Sequence, residues 1–311
     1  MVCGDYLVQP TYMLNGQPIF RKQRKGNSER LFSILIPTWN NLPYLQLCVE
    51  SIRKNSHFPH QIIIHVNEGK DGTLDWIDTQ EDIDYTHSLG NIGICYAVNI
   101  ARSLAATDYI VYMNDDMYVG PDWDLALHNE IKEIKHAYFF LSSTPIEPYD
   151  SHNPCVIVKD YGNTIETFRE KDFLKEYSSH PKADWQGSTW PPNIVHKDCW
   201  DLVGGYSTEF SPGMYSDPDF SMKLWQAGVR IFKGVSASRI YHFGSKSTLR
   251  VTKNKGYYTF IAKWGQTPGT FTKKYLRTGS IYQGATAEPA ITRKLIYKNL
   301  IKRIVTAFRK N

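Results

Sequence analysis

The 311-residue chain has no Cys-x-x-Cys pair and no His/Cys spacing that would form a zinc site. Its five cysteines, Cys3, Cys48, Cys95, Cys155 and Cys199, are odd in number and widely scattered, which argues against a disulfide framework and for a reducing compartment. No stretch reaches the roughly 18 apolar residues of a spanning helix, and the N-terminus lacks a continuous apolar segment of the signal-peptide kind. Together these absences predict a cytoplasmic protein that touches the cytoplasmic face of a membrane only peripherally, if at all. There is no internal repeat, and no glycine-rich phosphate loop follows the first apolar run, which ends instead in Pro37-Thr38-Trp39-Asn40.

The body of the chain also lacks an excess of positive charge. The formal net charge is +5, but residues 291–311 hold seven cations (Arg293, Lys294, Lys298, Lys302, Arg303, Arg309, Lys310) and no acid, leaving the first 290 residues with 29 cations against 31 anions. A body at −2 is not a nucleic-acid-binding surface. Basicity belongs to the tail, where Ile291, Leu295, Ile296, Leu300, Ile304, Val305 and Phe308 recur at helical spacing opposite the cations. That pattern fits a basic helix lying in a membrane interface, or a helix docked on the body with a solvated face.

What is abundant is aromatic: 14% of residues, including 20 Tyr and 8 Trp, which suits sugar stacking and a plain aromatic core alike. Residues 1–30 mix turn formers with a basic cluster (Arg21, Lys22, Arg24, Lys25) and read as an arm or irregular lead-in. From residue 31, short apolar runs alternate with helical patterns: a strand over 31–36, a helix over 42–54, a strand over 61–66, a helix over 94–106 and a strand over 108–113. This alternation predicts an α/β fold with a mostly parallel twisted sheet flanked by helices and right-handed crossovers. Farther on, Lys197 to Val203 reads as a helix closed by Gly204-Gly205, a second helix starts near Asp217, and Arg239-Ile240-Tyr241 reads as a strand ending at His242.

In such sheets ligands bind beyond the carboxyl ends of the strands. Three polar clusters fall there: Pro37-Thr38-Trp39-Asn40, Asn67-Glu68-Gly69 and Asn114-Asp115-Asp116. Adjacent carboxylates after a buried strand suit Mg²⁺ or Mn²⁺, hard ions that take oxygen ligands and are shared with a diphosphate, although two acids in that position also serve as turn or helix caps.

Over residues 31–250 the chain resembles the family 2 glycosyltransferases of GT-A-like fold. The segments that carry the resemblance are Ser33 to Asn40, Asn67 to Thr73, Asn91-Ile92-Gly93 with Ala97 and Asn99, Met113 to Asp116, Val203 to Tyr206 with Phe210, and Ser216 to Phe220. The resemblance implies an inverting hexosyltransferase of polysaccharide biosynthesis, using a UDP-, GDP- or dTDP-sugar and a glycan or lipid-linked acceptor. It implies donor contacts at Pro37, Thr38, Trp39, Glu68, Asn91, Asn114 and Asp115, with Asp115 at the ribose. Asp116 would coordinate Mn²⁺ or Mg²⁺ on the diphosphate, with His242 as a further ligand. Asp217 would be the general base and Asp219 its runner-up, and Trp185 and Trp190 would meet the acceptor. Glu68 stands where the family commonly has Asp, and Ser216 where it has Glu, so a non-catalytic sugar- or nucleotide-binding scaffold stays open as a rival. A nucleotidyltransferase would share the strand-end carboxylates but should also have a phosphate loop. The expected division is an arm (1–30), a catalytic domain (31–250, split into a nucleotide half 31–120 and an acceptor half 121–250) and an extension (251–311).

Overall fold

A computed structural model describes residues 12–14, 16–24, 29–244 and 254–308; Cys3, Lys25, Arg309 and Lys310 lie outside them. Its strands are β1 (Tyr12–Leu14), β2 (Gln17–Lys22), β3 (Phe32–Trp39), β4 (Gln61–Asn67), β5 (Ile83–Ser88), β6 (Tyr109–Tyr112), β7 (Met117–Val119), β8 (Phe139–Glu147), β9 (Ile157–Val158), β10 (Trp185–Gln186), β11 (Asn193–His196) and β12 (Ile231–His242). The helices are α1 (Leu42–Asn55), α2 (Thr73–Asp78), α3 (Ile94–Arg102), α4 (Trp123–Ile134), α5 (Glu170–Glu176), α6 (Lys197–Val203), α7 (Ser216–Gln226), α8 (Gly256–Trp264), the single turn α9 (Pro268–Thr270) and α10 (Arg293–Ala307).

One sheet runs β1-β2-β5-β4-β3-β6-β11-β8-β12-β10. Strands β5, β4, β3 and β6 are mutually parallel, as the alternating pattern predicts. Beyond β6 the sheet becomes mixed, because β11 enters antiparallel between β6 and β8 while β8 and β12 run parallel. The lead-in expected to be irregular instead contributes β1 and β2, which pair antiparallel onto the β5 edge. Near the edge of the sheet a strand needs no continuous apolar run, and Gln17-Pro18-Ile19-Phe20-Arg21-Lys22, second from the edge, buries only Ile19.

Alternation along β3 divides the core. Phe32, Ile34 and Ile36 face one side, against Leu45, Cys48, Val49 and Ile52 of α1 and Trp123 and Leu127 of α4. Leu35 faces the other, with Val98 of α3, Trp200 of α6 and Phe220 and Leu224 of α7. Each fully buried aliphatic side chain contributes about 1.5–3 kcal/mol. Aromatic rings help fill these layers: Tyr206 stacks on Phe220 with ring centroids 4.6 Å apart. Helix α6 stops where Gly204 turns left-handed at φ 70°, as the Gly-Gly pair predicts. The four described cysteines are buried and unpaired with one another, so they are core residues and not a framework.

Candidate active site

The parallel strands deliver the predicted polar clusters to one end of the sheet. Pro37, Thr38 and Trp39 close β3, Asn67 closes β4, and Asn114, Asp115 and Asp116 follow β6; all line a single cavity of about 690 Å³. Asn67 ties two of these loops together, donating to the Thr38 carbonyl at 3.2 Å and accepting from the Ile92 amide at 2.9 Å. Gly93 lines the cavity at φ 78°; a Cβ there would lie 2.3 Å from Ser211 Oγ and 2.6 Å from Pro212 Cα, so only glycine lets these two walls meet.

The carboxylate pair is almost wholly withdrawn from solvent. Thr38 Oγ1 donates to Asp115 Oδ2 at 2.7 Å, fixing that side chain beneath the first strand end. Asp116 immediately precedes β7, whose Met117 pairs with His242 at the end of β12, and this register brings His242 Nε2 to 3.4 Å from Asp116 Oδ1. Strand β8 runs parallel beside β12 with Ile146 opposite Tyr241, so Glu147 falls next to His242 and accepts from its Nδ1 at 2.8 Å. Burial alone would lower the His242 pKa, but the negative charges of Asp116 and Glu147 outweigh it and push it up to about 10.

These residues fit a divalent cation. The His242 Nε2 is buried and makes no aligned hydrogen bond, while Nδ1 is committed to a carboxylate, which is the second contact that orients a metal-binding imidazole. Among the described residues no group of three or more His, Cys, Asp or Glu side chains forms a complete metal cage. Asp116 and His242 would offer such an ion one oxygen and one nitrogen, with further oxygen ligands required from outside the protein.

On another wall stands Asp217, at the first turn of α7. Removal from bulk water pushes its carboxyl up to about 7, opposed by a hydrogen bond donated by Tyr206 Oη at 3.3 Å. A carboxylate poised near neutrality at a cavity wall has the properties of a general base. Helix α7 starts at Ser216 with Tyr215 as its N-cap and no side-chain cap hydrogen bond, so Asp217 does not cap the helix and its carboxylate is left to the cavity.

Residues 33–178 match the family model for glycosyl transferase family 2. That stretch is a family 2 glycosyltransferase domain. The chondroitin synthase of Pasteurella multocida (strain Pm70) is 24% identical over 237 residues, covering 74% of this chain and 23% of that protein, so the chain spans about a quarter of the curated relative's length. The crystal structure of S. aureus TarS 1-349 in complex with UDP-GlcNAc superposes with a TM-score of 0.55 at 13% identity, covering 89% of this chain and 72% of that one. The mannosyltransferase PcManGT from Pyrobaculum calidifontis, solved with GDP-Man and Mn²⁺, gives a TM-score of 0.51 at 15% identity over 90% of this chain and 74% of its own. These likenesses establish the GT-A fold.

Within this family 2 fold, the cavity gathers Pro37, Thr38, Trp39, Asn91, Asn114, Asp115, Asp116, Trp190, Asp217 and His242 of the predicted residues. Three others fall elsewhere. Glu68 stands beside the cavity, not in its lining; desolvation would raise its pKa, but Asn40 Nδ2 donating at 3.2 Å and Lys70 Nζ 3.4 Å away together outweigh it and hold the carboxyl below the usual range. Trp185 is a core residue and not an acceptor platform. Its ring lies over Gly234, where a Cβ would sit 1.8 Å from it, and its Nε1 donates to Thr144 Oγ1 at 2.9 Å. Asp219 is fully buried away from the cavity, with Trp264 Nε1 donating to it at 2.7 Å and Lys263 Nζ at 3.0 Å. A carboxylate with both partners in place and no path to the cavity cannot collect a substrate proton.

Glu147 is a cavity-lining residue that sequence reasoning missed; it ends a strand interrupted by Ser142-Ser143-Thr144, which no unbroken apolar run marks. Pro268, Gly269 and Thr272 add a wall from beyond residue 250, so the C-terminal extension takes part in the site.

Proposed function

We propose that the chain is a metal-assisted, inverting glycosyltransferase that moves a sugar from a nucleoside diphosphate sugar to a hydroxyl of a glycan or lipid-linked acceptor. The observation that carries this reading is one cavity holding an acidic pair with a poised histidine on one wall and a carboxylate titrating near neutrality on another. Trp39 and Asn91 flank the nucleotide, and Asp115, held by Thr38, receives the ribose hydroxyls. Asp116 and His242 would hold Mn²⁺ or Mg²⁺, whose positive charge stabilises the departing diphosphate. Asp217 takes the proton of the acceptor hydroxyl as its oxygen bonds to the anomeric carbon and the bond from that carbon to the diphosphate oxygen breaks, which inverts the centre. Trp190 offers a ring to the acceptor sugar. The setting is the cytoplasm. Neighbours solved with UDP-GlcNAc and GDP-Man support a nucleotide-sugar donor, which we take to be UDP-, GDP- or dTDP-linked.

Thermal-shift titration against UDP-, GDP- and dTDP-sugars with and without Mn²⁺ tests the reading, because a ligand that binds only the native state raises its apparent stability. A Mn²⁺-dependent shift with one base class, followed by nucleoside diphosphate release on turnover, is expected. A shift without turnover against an acceptor panel would favour the non-catalytic scaffold.

A further inference from the structure

Helix α10 docks on the protein through a narrow mixed stripe centred on a polar residue. Asn299 is its buried residue, and Thr270 Oγ1 donates to Asn299 Oδ1 at 3.2 Å, tying α10 to α9 next to the cavity-lining Gly269. Asn299, with the half-buried Leu295 and Thr306, defines the inward stripe, and Leu300 and Ile304 edge a groove against α8; at 100° per residue Leu300, Ile301, Ile304, Val305 and Phe308 lie on the arc away from that stripe. All five are exposed, Phe308 at 83%. An amphipathic helix of a self-contained globule buries its apolar arc and wets its polar one; here a polar Asn299 is the buried residue and most of the apolar arc is wetted. Lys294, Lys298 and Lys302 follow one flank of the outward arc, and residues 291–311 contain no acid. No helix among the described residues is long and apolar enough to cross a membrane.

We propose that α10 is an interfacial anchor that lies in the surface of an anionic lipid bilayer, its outward apolar arc at the acyl boundary and its lysine flank at the headgroups. The cations select the occupant: an apolar partner protein would not require a flank of one sign, whereas an anionic headgroup layer does. The Asn299–Thr270 hydrogen bond then couples the anchor to the wall of the cavity that α9 forms.

The experiment is co-sedimentation of the full chain with phosphatidylcholine vesicles containing or lacking phosphatidylserine, at low and high salt. Each cation near the surface is worth about fivefold in partitioning. Ile304→Asp and Phe308→Asp alter exposed positions and leave the fold intact; a triple Lys294→Glu, Lys298→Glu, Lys302→Glu variant reverses the flank. Expected results are binding to phosphatidylserine vesicles only, weakening at high salt, and loss of about a hundredfold or more in the triple variant and at least tenfold in the Asp variants. Equal pelleting with neutral vesicles, or unchanged binding by the variants, overturns the proposal. So does a dimer in analytical ultracentrifugation that Ile304→Asp dissociates while vesicles go unbound, since the arc would then belong to a second copy. The readout needs no nucleotide or sugar, so its failure leaves the catalytic reading untouched.

Discussion

Replacing Asp217 by Asn preserves size and the Tyr206 hydrogen bond while removing the capacity to accept a proton. Loss of a general base costs about 10²–10⁴ in rate, roughly 3–5 kcal/mol of barrier, whereas donor binding should stay within a factor of two because Asp217 stands apart from the acidic pair. The carboxyl titrates at about 7, above the ordinary value near 3.9, and only its ionised form can act as a base. Wild-type kcat/KM should therefore be level above pH 7 and fall about tenfold per unit below it, while the residual activity of Asp217→Asn should be flat over the same range. Stability carries the opposite sign. A carboxyl whose folded pKa is raised destabilises the fold as pH climbs from about 4 to about 7 and by a constant amount above that. The Asn variant should consequently melt a few degrees higher than wild type at pH 8 and converge with it near pH 4. Nucleoside diphosphate release across pH 5–9, with calorimetric melting of the same samples, checks both halves. Unchanged turnover, or a wild-type profile flat through pH 7, would refute the reasoning.

Other perturbations separate site from scaffold. Glu147→Ala should weaken Mn²⁺ binding by about 10–100-fold in isothermal titration calorimetry, because the His242 ring loses the partner that orients it. Trp185→Ala should cost about 3–5 kcal/mol in denaturant unfolding, the scale of a core aromatic, and leave the acceptor KM of the folded enzyme unchanged. Asp219→Asn should cost about 1–3 kcal/mol through its weakened contacts with Lys263 and Trp264, and leave the pH–rate profile as in wild type.

The parallel strands β3, β4 and β6 were legible because each is a short, nearly unbroken apolar run ending in turn chemistry. Strand β5 was not: Ile83-Asp84-Tyr85-Thr86-His87-Ser88 is polar at four of six positions yet wholly buried. Its polar groups are matched across the sheet, Gln61 Nε2 donating to Asp84 at 2.7 Å and Thr86 pairing with His65 Nδ1 at 2.8 Å. Pairing of that kind depends on register, which no local pattern encodes. Glu147 was hidden for the same reason, since its meeting with His242 follows from β8 lying parallel to β12. The choice between Asp217 and Asp219 was legible in principle. Two residues apart on a helix lie about 200° from one another, so both could not face one cavity. Trp185 and Trp190 could not be told apart by composition; the first sits on a paired strand and the second at the cavity rim.

The central claim is that Asp116 helps bind a divalent ion beside a diphosphate. Calorimetric titration of UDP and GDP into wild type and Asp116→Asn, with and without Mn²⁺, tests it most directly. Removing a negative ligand from a nearly dehydrated site should abolish the Mn²⁺-dependent gain in affinity while leaving the weak metal-free binding in place. An Asp116→Asn protein that binds nucleotide with the wild-type Mn²⁺ dependence would contradict the account.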